Sequence, residues 1–141
     1  MARYSSILLV DDDDISNFLA EKIIRRIQLS NIIYTARHGR EALTFLRNVC
    51  KENDNYPEII LLDIKMPVMN GFEFLEEFFA TNEFPKEKIA IILLTSSADP
   101  LDVEESKRYN INGYINKPLT PQKLTETLIL NRGLTGTADF H

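Results

Sequence analysis

The chain of 141 residues has a single cysteine, Cys50, and no tryptophan. One thiol excludes an intrachain disulfide, so the fold must rest on its own core. A lone cysteine also fits a reducing, cytoplasmic setting, with a buried bystander as its plainest reading. Long apolar runs are missing too. The longest, Ile89 to Leu94, falls far short of the roughly 20 residues that cross a bilayer. No basic start followed by an apolar stretch is visible, so neither a signal peptide nor a membrane anchor is expected. Positive charge is in deficit, with 16 Lys and Arg against 21 Asp and Glu. That balance argues against non-specific nucleic-acid binding, which needs Lys and Arg to displace counterions from phosphates. Histidines number two, His38 and His141, and both read as surface residues rather than phosphohistidines.

What is present bounds the answer further. With 44% apolar residues the composition is that of one globular domain. At this size folding buries roughly two-thirds of the unfolded surface, enough for a core that needs no metal or disulfide staple. The formal charge of −5 is concentrated: four acids form the run Asp11 to Asp14, and the rest of the chain sums to −1.

Short β-type runs alternate with helical patterns, the signature of βαβ units around a parallel sheet. Strands are expected at Ile7 to Val10, Asn31 to Ala36, Glu58 to Ile64, Ile89 to Leu94 and Gly113 to Asn116. Helices are expected from about Ile15 to Leu29, Arg40 to Cys50, Gly71 onward, Pro100 to Tyr109 and Pro121 to Leu130. In the first helix Ile15, Leu19, Ile23 and Ile27 repeat every fourth residue, widened by Phe18 and Ile24, and are expected to face the sheet. Ala42, Leu43 and Leu46 should point inward from the second helix, and Phe72, Leu75, Phe78 and Phe79 from the third. The fourth helix is the least apolar, with Leu101, Val103 and Tyr109 as its candidates for burial. Leu124 and Leu128 anchor the last. Lys51 to Pro57 reads as a loop. The domain is expected to occupy residues 1–130, with 131–141 as a frayed tail.

In open α/β sheets, ligands gather outside the carboxyl ends of the strands. This chain places Asp11 and Asp12 after the first strand, Asp63 at the end of the third, Thr95 and Ser96 after the fourth, and Lys117-Pro118 after the fifth. Three converging carboxylates repel one another by several kcal/mol at about 5 Å and an effective dielectric near 20, so they require a compensating cation. An oxygen-only donor set suits Mg²⁺ or Mn²⁺. Asp63, alone at the end of the central strand, is the member placed to act as a nucleophile toward a phosphoryl group. Metal, ammonium and hydroxyl would then neutralise the phosphoryl oxygens.

The segments Leu9-Val10-Asp11-Asp12, Leu62-Asp63-Ile64-Lys65-Met66-Pro67 with Gly71 eight residues after the aspartate, Leu94-Thr95-Ser96, and Gly113-Tyr114-Ile115-Asn116-Lys117-Pro118 stand in register. Together they resemble the response-regulator receiver domain, the CheY-like family of two-component signalling, over about residues 5 to 130. The resemblance implies a doubly wound, flavodoxin-like α/β fold: a five-stranded parallel sheet in the order 2-1-3-4-5 with five helices. It implies Asp63 as phosphoacceptor, and Mg²⁺ on Asp12, Asp63 and the backbone carbonyl of Lys65, with Asp11 acting chiefly through a water. Thr95 and Lys117 would each contact a phosphoryl oxygen. Thr95 and Tyr114 would form the switch, and the Lys117-Pro118 peptide would be cis. Partners would be a sensor histidine kinase or histidine phosphotransfer protein and an unknown downstream protein, with no nucleic acid and no membrane. Such a stand-alone, cytoplasmic domain is a signalling module, not an enzyme in the usual sense, because it catalyses only its own phosphorylation and slow dephosphorylation. Lys65 and Ser97, two residues past Asp63 and Thr95, would tune the phosphoryl lifetime.

Structural readings compete with these. Acids before a helix favour its N-terminus, and Asp14 is expected to be such a cap, with Asp13 facing solvent. Thr95 could merely end a strand, Lys117 could be solvated, and Tyr114 could be an exposed contact residue. An EF-hand loop is excluded because the run lacks the sixth-position glycine and final glutamate. A haloacid-dehalogenase-type phosphatase needs a second aspartate where Lys65 stands. A flavodoxin-like electron carrier needs a hydroxyl-rich phosphate loop where the aspartates stand.

Overall fold

Ile7–Val10 form β1, and all four side chains are buried, as an apolar strand covered on both faces requires. The same holds for β3, Ile59–Asp63. β2 (Ile33–Ala36), β4 (Ala90–Thr95) and β5 (Gly113–Asn116) complete a sheet of order β2-β1-β3-β4-β5, the order expected. Every pairing is parallel, with Val10 opposite Leu62, Asp63 opposite Leu94, and Thr95 opposite Asn116. From β1 the chain turns to β2 on one side and later to β3 on the other. The carboxyl ends of β1 and β3 therefore flank the switch point, where a crevice opens. This computed structural model describes residues 3–52, 55–96 and 99–135. The Ser97 assignment, His141 and the end of the expected tail lie outside them.

Strand alternation sends side chains to two cores. On one face, Ile7, Leu9, Ile59 and Leu61 meet Ala20 and Ile24 of α1 (Asp14–Arg26) and Leu124 and Leu128 of α5 (Pro121–Thr135). On the other, Leu8, Val10, Ile60 and Leu62 meet Leu43 and Leu46 of α2 (Gly39–Glu52) and Phe74, Leu75 and Phe78 of α3 (Gly71–Ala80). The short α4, Pro100–Ser106, lies between β4 and β5 in the chain. No helix among the described residues is long and apolar enough to cross a membrane.

Several expectations need correction. In α1, Ile15, Phe18 and Leu19 are 70%, 61% and 54% exposed, while Ala20 and Ile24 carry the contact. A repeat of four residues drifts about 40° per step against the 3.6-residue turn, so only its end, Ile23 and Ile27, reaches the core. The helix also stops earlier than expected. Gln28 takes a left-handed φ of 57°, Gln28 N–H donates to the Arg25 carbonyl, and Leu29 N–H donates to the Ile24 carbonyl. That is a Schellman stop, closed by buried Leu29 against Ile24. In α4, Leu101 is 74% exposed and Ser106 is the buried residue; Tyr109, half-buried, falls beyond the helix. α2 continues through Lys51 into the expected loop, and α5 runs to Thr135, past the expected helix end at Leu130. Cys50 is only half-buried, packed on the α2–α3 core.

Candidate functional site

Asp11 continues the sheet ladder for one residue, its N–H donating to the Ala36 carbonyl at 3.0 Å. Its carboxylate accepts from the Asp13 N–H at 2.9 Å and from Lys117 Nζ at 2.8 Å, and Asn17 Nδ2 donates to its carbonyl at 3.0 Å. The acidic turn is thus held at four points. Asp13, not Asp14, caps α1, accepting from the Ile15 N–H at 3.0 Å and the Ser16 hydroxyl at 3.2 Å. Asp14 instead pairs with Arg37, whose other nitrogen donates to the Asp12 carbonyl at 2.9 Å. The cap sits one residue earlier than expected because Asp14 is already the first residue of the helix, while Asp13, still extended, reaches the Ile15 N–H.

Asp63 is the last residue of β3 and is 8% exposed. The loop after it turns back at once: Gly71 N–H donates to the Ile64 carbonyl at 2.8 Å. A Cβ on Gly71 would come within 2.6 Å of the Asp63 carbonyl oxygen, so the close approach requires glycine. Within the loop Met66 and Met69 are buried anchors, and Val68 between them has φ 68°. Met69 N–H bonds the Pro67 carbonyl at 2.8 Å, a γ-turn that few β-branched residues adopt. Lys65 projects to solvent from the same loop. α3 then starts cleanly on a capping box between Asn70 and Glu73.

Thr95 ends β4, buried, and its carbonyl accepts the Lys117 N–H at 2.7 Å. That bond turns Lys117 back over the strand ends, and the Lys117-Pro118 peptide is cis, as the resemblance implied. Lys117 Nζ stands 2.8 Å from Asp11 and 3.6 Å from Asp63. The expected cluster is therefore assembled: one carboxylate oxygen each from Asp11, Asp12 and Asp63 lies within 4.8 Å of the others. Tyr114, on β5, packs on the α2–α3 core with its hydroxyl buried. His38 is half-buried, and its Nδ1 accepts the Glu41 N–H at the start of α2.

The electrostatics follow from this packing. Burial first, and the charges of Asp11 and Asp12 after it, push the Asp63 carboxyl up to about 6, against the pull of Lys117. Burial draws the Lys117 ammonium down, yet the Asp11 hydrogen bond and the Asp63 charge prevail and leave it above its ordinary value. An anionic pocket that one ammonium only partly offsets, walled by oxygen donors, has the chemistry of a hard divalent-cation site. Two contributors escaped sequence reasoning. Arg37 is the first residue past β2, at the same sheet edge, and Asn17 is a polar residue one turn into α1 on its core side. Position alone could have flagged both.

Comparison with known proteins agrees with this geometry. The family model of the response regulator receiver domain matches residues 7–129. Chemotaxis protein CheY1 of Helicobacter pylori is 30% identical over 122 residues, covering 86% of this chain and 92% of that protein. A two-component response regulator from Cytophaga hutchinsonii superposes with a TM-score of 0.83 at 34% identity, over 93% of this chain and 98% of that one. A chain from the CheX–CheY–BeF3–Mg²⁺ complex of Borrelia burgdorferi gives a TM-score of 0.73 at 25% identity, over 89% and 87% of the two chains.

Proposed function

The chain belongs to the response regulator receiver domain family, and on that premise we propose that it takes a phosphoryl group onto Asp63 from a sensor histidine kinase or a histidine phosphotransfer protein. The observation that carries this is the setting of Asp63: a buried strand-end carboxylate within 4.8 Å of Asp11 and Asp12, with Lys117 alongside. An Asp63 oxygen forms the new P–O bond as the P–N bond to the donor histidine breaks and its electron pair returns to the ring nitrogen. Lys117 pairs with one phosphoryl oxygen and the Thr95 hydroxyl donates to another. Asp11, Asp12, Asp63 and the Lys65 carbonyl would hold Mg²⁺, or Mn²⁺, which supplies charge neutralisation when bound. The donor set fits, since it is all oxygen and carries more negative charge than Lys117 offsets. Support also comes from the Borrelia burgdorferi relative, described in complex with BeF3 and Mg²⁺.

Water later hydrolyses the acyl phosphate slowly, and Lys65, in the loop after β3, tunes that rate. Between these events Thr95 and Tyr114 relay the phosphorylated state to a face formed by α4, β5 and α5, where a downstream protein docks. The exposed Leu101 and Val103 on α4 support an apolar contact there. The module acts in the cytoplasm through protein contacts.

Acetyl phosphate with Mg²⁺ tests the chemistry. The intact protein should gain the mass of one phosphoryl group and Asp63→Asn should gain none. Equal labelling of that variant would remove Asp63 from the role.

A further inference from the structure

Lys123 stands where the start of α5 gives no reason for a lysine. The Thr120 hydroxyl accepts the Lys123 N–H at 3.1 Å as the cap of that helix, which makes Lys123 its third residue. A capping box would place Glu or Gln there, and the positive end of the helix dipole disfavours a cation in the first turn. The ammonium reaches back past the helix start instead. Its Nζ donates to the Asn116 carbonyl at 3.0 Å and to the Pro118 carbonyl at 3.0 Å, the residues on either side of Lys117.

Those two bonds act on the backbone that aims Lys117. The Asn116 carbonyl and the Lys117 N–H belong to one peptide unit, and the Lys117 N–H donates to the Thr95 carbonyl at 2.7 Å. That plane is therefore held at both edges, by β4 on one side and by α5 on the other. The Pro118 carbonyl fixes the chain just beyond, where Pro118 has no N–H of its own to donate. Hydrogen bonds from an ammonium are charge-assisted and stronger than neutral ones. The helix that carries Lys123 is itself firmly seated: Leu124 and Leu128 are buried, and Thr127 fills the space that a Cβ on Gly113 of β5 would need. At the far end of the Lys117 side chain, Nζ lies 2.8 Å from Asp11 and 3.6 Å from Asp63. Asp11 holds the tip, and Lys123 holds the root.

We propose that Lys123 is a positioning residue for Lys117: by bridging the carbonyls of Asn116 and Pro118 it sets the direction in which the Lys117 ammonium enters the carboxylate cluster. The inference deepens the receiver reading and rests on it, since Lys117 is the group that pairs with a phosphoryl oxygen there. Lys123 itself touches neither phosphate nor metal. Misplacing a charge that must meet charge developing on the phosphoryl oxygens lowers the rate of transfer.

Lys123→Met keeps the stem and removes the donor, whereas Lys123→Arg keeps a donor. NMR of the unphosphorylated full chain without Mg²⁺ reads the aim of Lys117 through its ε-methylene protons, assigned by their loss in Lys117→Arg. Held between two carboxylates, these protons should be inequivalent in wild type and in Lys123→Arg, and should collapse toward the single shift of a free lysine in Lys123→Met. Unchanged Lys117 signals in Lys123→Met overturn the proposal. Phosphoryl uptake from acetyl phosphate at saturating Mg²⁺ should fall about tenfold in Lys123→Met and recover in Lys123→Arg. An equal fall in both variants, or none in Lys123→Met, also overturns it. Lys123→Glu separates aim from helix stability and serves if Lys123→Met does not fold. A carboxylate suits this helix position but cannot donate to carbonyls, so the variant should melt higher than wild type and still release the Lys117 signals. Signals that stay in place there overturn the bridge as well. Absence of phosphoryl uptake in wild type would defeat the receiver reading, while the Lys117 signals, recorded without donor or metal, still decide the bridge.

Discussion

Gly71 and Asp63 share one small space: a Cβ on the glycine would stand 2.6 Å from the aspartate's carbonyl oxygen. The glycine eight residues after the acid is thus demanded by the acid's own backbone. Gly71→Ala must push the loop off the end of β3. We expect it to cost about 1–3 kcal/mol in urea denaturation, as overpacking usually does, and to slow phosphoryl uptake from acetyl phosphate. Wild-type stability and uptake together would show that the loop can yield.

Asp63 should make stability depend on pH in Mg²⁺-free buffer. Its folded carboxyl titrates at about 6, above the ordinary aspartate value, so the native state holds that proton more tightly than the unfolded chain does. The contribution is complete below about pH 4 and is lost as pH rises through about 6. Asp63→Asn removes the loss. It should be more stable than wild type by about 1–2 kcal/mol at pH 7, after allowance for solvent screening, and should converge with it near pH 4. Parallel thermal melts with the same offset at both pH values would contradict the assignment.

Asp12→Ala separates charge repulsion from architecture. Asp12 adds to the charge that raises Asp63, while its backbone carbonyl, which Arg37 holds, survives the substitution. Without Mg²⁺ the variant should melt a few degrees above wild type, and added Mg²⁺ should stabilise it little. Equal Mg²⁺ stabilisation of both proteins would show that Asp12 is not a ligand.

Gln28 offers a control remote from the site. It closes α1 with φ 57°, a conformation that costs a side-chain-bearing residue more than glycine. Gln28→Gly should stabilise the domain by up to about 1 kcal/mol and leave phosphoryl uptake unchanged. A lower melting temperature would mean that the Gln28 side chain contributes more than its backbone costs.

Some of this protein is local enough to be decided by the chain itself. Continuous apolar runs at Ile7–Val10 and Ile59–Leu62 require strands covered on both faces, and acids directly after them must then lie at one sheet edge. The motifs around Asp11, Asp63, Thr95 and Lys117 could be read because each marks where a strand stops. Burial on the helices was less legible. The four-residue repeat of Ile15 and Leu19 predicts a core stripe, but which 100° of a helix faces a sheet depends on where the sheet lies, and here Ala20 and Ile24 face it. Pairing was decided only in three dimensions. Arg37 meets Asp14, Lys117 meets Asp11, and Asp13 rather than Asp14 caps α1, because of turns and crossovers that bring distant residues together. Periodicity follows from backbone geometry alone, whereas the partner of a charged or polar group is set by packing between segments that the sequence keeps far apart.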